Sequence, residues 1–197
     1  MDRDRPRPPL GSSPGWDPVA ERPVPPSLGA RIAPVFVFAV SLVLYLRTLL
    51  PDMAFDDWGE LQTVPHVLGI AHPTGYPTYI LTAWLFELLP IGSVAFRANL
   101  LAAVCVAVAL TAMTSTTMRL GVRPAIAVAV AIATGAIGTI WAAAVVAEVN
   151  AHHLAFIARS GYMTLRRASC RFHVGQQRCW LLRFAAQQEH CVLGDRN

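Results

Sequence analysis

Three runs of apolar residues, each about twenty long, set the pattern of this 197-residue chain. The first, residues 32–50, reads IAPVFVFAVSLVLYLRTLL and carries one charge, Arg47, in its last turn. Its 19 residues, rising 1.5 Å each, give about 28 Å, close to the thickness of the hydrocarbon core of a bilayer. Arg47 can reach the interface along its own aliphatic stem, and Pro51 ends the helix. Residues 98–118 and 124–147 are the second and third runs, and both are uncharged. The third opens on Pro124, where a helix tolerates proline, and is rich in small residues, Gly135 and Gly138 among them, which suits close helix packing.

A fourth apolar stretch, residues 76–90, is shorter: YPTYILTAWLFELLP, bounded by prolines and holding Glu87. The distribution of arginine decides how to read it. The arginine-bearing amino-terminal tail is expected in the cytoplasm, so the first helix leads outward. If residues 76–90 do not cross, the second span returns inward and the short turn RLGVRP, with Arg119 and Arg123, faces the cytoplasm as the rule prefers. Residues 76–90 therefore read as a helix lying along the outer interface or re-entering it. The expected architecture is all-α and polytopic: an integral membrane bundle of about three full spans plus this surface helix, with an outer loop over residues 51–97.

Composition agrees. The chain is 54% hydrophobic and 14% charged, against roughly 25% charged in a soluble domain. Residues 1–30 carry eight prolines and no apolar periodicity, which predicts a disordered cytoplasmic tail. That tail is too long and too mixed in charge for the start of a cleaved signal peptide. Residues 31–158 form the expected membrane domain. From residue 159 onward the chain turns arginine- and glutamine-rich and holds three of the four cysteines. Two readings of this basic tail stand: a shifted or early-ending reading frame, or a genuine short protein with a poorly ordered end. No basic helix interleaved with aromatics occurs, which argues against nucleic-acid binding. Cys105 reads as a small core residue, and Cys179, His190 and Cys191 lack the spacing of a zinc site, so no metal is expected.

The acids of the membrane part gather on one side in this topology: Asp52, Asp56, Asp57, Glu60 and Glu87 in the outer loop, and Glu148 at the outer end of the third span. A plain alternative is a solvated loop, or a helix start that favours acids through its dipole. An acid held at membrane depth is a functional candidate by default.

Here the residues carry a wider pattern. FDDWGE, then LGIAHPTGYPTY, RANLLAA and WAAAVVAEVNA, over residues 35–157, resemble the family catalogued as domain of unknown function 2723 and its protein O-mannosyltransferase relatives. The D-x-G-E element falls on Asp57, Gly59 and Glu60; H-P-x-G-x-P on His72, Pro73, Gly75 and Pro77; and a W…E-V element on Trp141, Glu148 and Val149. Thr74 and Asn150 depart from the family pattern, where Pro and Tyr are common. The resemblance implies the amino-terminal part of a larger fold of the glycosyltransferase C type, in a bacterial plasma membrane. It implies transfer of a mannose-like sugar from a polyprenyl-phosphate donor to a hydroxyl of a protein or glycan acceptor, with no cofactor. A base must deprotonate that hydroxyl. Asp57 is the expected base, with Glu60 one turn away on the same helix face. Asp56, His72, Tyr76, Arg97 and Glu148 are the expected donor or acceptor contacts, Arg97 being the nearest cation for a departing phosphate. Two rival readings are a non-enzymatic membrane subunit and an inert membrane fragment.

Overall fold

The computed structural model describes residues 28–72 and 75–168, and these are helical or in short connections, with no strand among them. The expectations for residues 1–27, Pro73, Thr74, Cys170, Cys179, His190 and Cys191 lie outside the described residues.

The first run is helix α1, Leu28–Thr48. It begins inside the stretch expected to be disordered, because the turn before the apolar run holds Ala30 and Arg31, which helices tolerate. The outer loop then folds into α2, Asp57–Thr63, a 3-10 turn, Val64–Val67, and α3, Pro77–Glu87. With 11 residues, α3 is about 16 Å long, half of what a crossing needs. The second run is α4, Val94–Arg119, which starts a turn earlier than the apolar pattern. Ser93 explains the early start: its Oγ accepts a hydrogen bond from the Phe96 N–H at 3.1 Å and caps the helix.

The third run departs from a straight span. It forms α5, Pro124–Gly135, and α6, Gly138–Val145, bent by 72° at the break. Ile137 adopts extended backbone at that point, between the two glycines. Among the described residues, two helices are thus long and apolar enough to cross a membrane, or three if the bent pair counts as one. A seventh helix, α7, covers residues 149–168 and runs unbroken past residue 158, where the composition changes. Arg119, at the end of α4, stacks on the Tyr162 ring of α7 at 5.1 Å.

The central element is α4, which packs against α1, α2, α3, α5 and α6. Its apolar window is 61% buried within the protein, against 22% for α1, whose Val35, Phe36 and Val43 face outward as lipid-facing residues do. At the bend, the Tyr45 hydroxyl donates to the Gly135 carbonyl at 3.0 Å, and its ring meets Trp141 edge-on at 5.3 Å. A Cβ on Gly135 would stand 2.6 Å from Leu110 Cδ1 and 2.7 Å from the Tyr45 hydroxyl, so only glycine allows this approach.

Candidate active-site pocket

One buried amide ties the loop to the bundle. Asn99, fully buried near the start of α4, accepts hydrogen bonds at Oδ1 from Gln62 Nε2 (2.7 Å) and the Ala147 N–H (2.8 Å). Its Nδ2 donates to the Leu50 carbonyl at 2.9 Å. Gln62 in turn accepts from the Ala54 N–H at 2.8 Å. The end of α1, helix α2 and the approach to α7 therefore meet at one side chain. The Tyr79 hydroxyl of α3 adds a second fastening, donating to the Leu61 carbonyl at 3.0 Å. Gly59 lets α2 fold back closely, since a Cβ there would lie 2.7 Å from the Ala54 carbonyl oxygen.

This frame holds a polar cavity of about 260 Å³, lined among others by Asp57, Trp58, His72, Tyr76, Glu148, Asn150 and His153. Its walls come from α2, from the turn before α3 and from the first turns of α7. Glu60 stands behind His72 and grips it twice. Its Oε1 accepts from the His72 backbone N–H at 2.7 Å, and its Oε2 faces Nδ1 at 2.8 Å. The side-chain bond to His72 is the main reason that the Glu60 carboxyl lies below its ordinary value. The same bond raises the imidazole of His72, with Asp57 adding attraction. The Asp57 carboxylate is exposed and has no hydrogen-bond partner among the described residues. Ligand atoms of Asp57, Glu60 and His72 lie within 4.8 Å of one another, but both Glu60 oxygens are taken up by His72, which ties the acid to the imidazole.

Of the residues singled out from sequence, Asp57, His72, Tyr76 and Glu148 line this one cavity. Glu60 adjoins it through His72. Glu148 accepts from Asn150 Nδ2 at 2.5 Å. Arg97 is held elsewhere: its guanidinium donates to the Glu87 and Leu89 carbonyls, which closes the turn between α3 and α4. Asp56 does not line the cavity; it precedes α2 with φ 62° and accepts from the Gly59 N–H at its carbonyl. Sequence reasoning missed Trp58, Asn150 and His153 as lining residues, and Asn99 and Gln62 as their support. A lone Asn in the first turns of an uncharged span was the readable signal.

A membrane protein, helical throughout its described residues but for short connections, with a carboxylate- and imidazole-lined pocket at one end of its bundle is the class that this geometry defines. Residues 57–186 match the family described as the protein O-mannosyl-transferase TMEM260 N-terminal domain, and the chain belongs to that family. It is 44% identical over 93 residues to the protein O-mannosyl-transferase TMEM260 of Mus musculus, covering 47% of this chain and 13% of that protein. It is 36% identical over 53 residues to the Dictyostelium discoideum protein O-mannosyl-transferase tmem260, covering 27% of this chain and 6% of that one. The chain thus spans a small part of the length of these curated relatives. No solved structure matches it. The O-mannosyltransferase side of the resemblance seen in the motifs is thereby shown.

Proposed function

We propose that the pocket belongs to a membrane mannosyltransferase of the glycosyltransferase C type, which takes its sugar from a polyprenyl-phosphate donor. The observation that carries this reading is the uncommitted Asp57 carboxylate in a polar cavity, within a chain of O-mannosyl-transferase kinship. Asp57 takes the proton of the acceptor hydroxyl as its oxygen attacks the anomeric carbon. A bond forms between that carbon and the acceptor oxygen, and the bond to the donor phosphate breaks with its electron pair leaving on phosphate. A placed base contributes roughly 10²–10⁴-fold to such a step. Tyr76, Glu148 and Asn150 offer hydrogen-bonding groups along the wall for sugar hydroxyls. In this reading the pocket lies on the non-cytoplasmic side, with Arg119 and Arg123 in the cytoplasm.

The test is a chimera: the mouse relative with its matched 93-residue stretch replaced by that of this chain. Membranes carrying it are given labelled lipid-phosphate mannose and a hydroxyl-bearing acceptor peptide. Transfer is expected, and Asp57→Asn in the chimera is expected to lower it at least a hundredfold with expression unchanged. Full transfer by the Asp57→Asn chimera removes the role.

A further inference from the structure

The pocket poses a charge problem. Asp57 and Glu148 bring two carboxylates to its lining, while among the described residues no arginine lines it, and the chain contains no lysine. An anionic donor would be repelled unless something in the wall carries positive charge. Arg97, the cation expected from the sequence to meet the phosphate, is spent on carbonyl oxygens of the α3–α4 turn. Among the described residues of the lining, the imidazoles of His72 and His153 are the groups able to become cations.

His72 is the one that is built for it. Glu60 engages its backbone N–H and its Nδ1 together, which fixes the ring from one side and leaves Nε2 as the nitrogen open to a ligand. Tyr76 meets the ring edge-on, with centroids 5.9 Å apart, which limits its rotation from another side. We propose that the Glu60–His72 pair is the anion-binding element of the pocket, with His72 Nε2–H donating to the phosphate of the donor and Glu60 as its positioning residue. This rests on the transferase reading for the identity of the donor, but the anion site itself does not need transfer to occur. The direction of the imidazole shift supports it, since attraction to Glu60 and Asp57 keeps the ring charged to higher pH. His72 keeps its proton throughout, and the proton of the acceptor goes to Asp57.

The experiment uses the full 197-residue chain in neutral detergent. Dodecyl phosphate is the probe, and the fluorescence of Trp58 in the lining is the signal. Trp58 is isolated by replacing the other four tryptophans with Phe. Saturable binding is expected, weakened at least tenfold by His72→Gln and largely restored by His72→Arg, which returns a cation. Glu60→Gln is expected to move the loss of binding with rising pH to lower pH, a readout that a merely structural role leaves in place. Equal binding by His72→Gln overturns the proposal. So does an unshifted pH profile in Glu60→Gln, or binding that a chelator abolishes and His72→Arg fails to restore. Phosphate binding without sugar transfer in the chimera sinks the transferase reading alone, and transfer indifferent to His72 sinks the anion site alone.

Discussion

Replacing Asn99 with Leu tests the idea that one amide assembles the site. Leucine has the branching and heavy-atom count of asparagine and suits an apolar helix, so no void opens; its bulkier methyls add some overpacking at this fully buried position to the loss of hydrogen bonds. Three groups lose their partner: the Ala147 N–H, Gln62 Nε2 and the Leu50 carbonyl. Gln62 is fully buried and the bond to the Ala147 N–H is a buried one, so these two groups cannot turn to water. A buried donor left unpaired costs about 1–3 kcal/mol, and the two together about 2–6 kcal/mol. The Leu50 carbonyl lies in partial contact with solvent and adds little, while the new apolar contacts return about 1 kcal/mol. The expected net loss is about 1–5 kcal/mol. Reversible unfolding of the detergent-solubilised chain in a titration with denaturing detergent, followed by circular dichroism, measures it. Gln62→Leu and the double variant close a cycle, and a coupling of about 0.5–3 kcal/mol is expected for residues in direct contact. A loss below about 1 kcal/mol, or strict additivity, would refute the hub.

Other perturbations follow from the same geometry. Gly135→Ala pushes a Cβ to 2.6 Å from Leu110 and displaces the Tyr45 hydroxyl, so it is expected to destabilise by about 1–3 kcal/mol, and by less in a Leu110→Ala background where the clash is relieved. Glu87 is buried at the end of α3, its carboxyl oxygens unbonded but for a 3.4 Å approach of His66. Desolvation raises its carboxyl above the ordinary value, opposed by His66 and Arg97. The folded state then holds a proton that the unfolded state has released, so stability is expected to fall as pH rises through the raised value. Glu87→Gln removes that slope, and thermal unfolding from pH 4.5 to 8 reads it; a variant less stable than the wild type at pH 8 refutes the reasoning. The Glu60–His72 pair does not mimic this slope at acidic pH. Its Glu60 part is lost as pH falls from the ordinary carboxylate value through the lowered one, and its His72 part as pH rises from the ordinary imidazole value through the raised one.

The spans were legible because a bilayer imposes length and apolarity together, and no other solvent does. The brevity of α3 was legible for the same reason. The 72° bend was not, since Gly135 and Gly138 in an apolar run mark either close packing or a break, and only contact with Leu110 and Tyr45 separates the two roles. Helix α7 was missed beyond residue 158 because its polar composition lacks the lipid signal, while its Met, Leu, Arg and Ala remain sound helix formers. The acids of the site were visible, but their partners were not. Glu60 and His72 stand twelve positions apart across a turn that no periodicity describes. The two short helices of the site also begin from strained backbone, Asp56 at φ 62° before α2 and Tyr76 at φ 38° before α3. Positive-φ conformations at such residues cost about 1–3 kcal/mol each and persist only where the surroundings over-determine them. Asn99 through Gln62, and Tyr79 through the Leu61 carbonyl, are those surroundings. The same buried bonds that hold the bundle together thus keep Asp57 and Tyr76 turned into one cavity, which is why loosening Asn99 should open the pocket before it melts the spans.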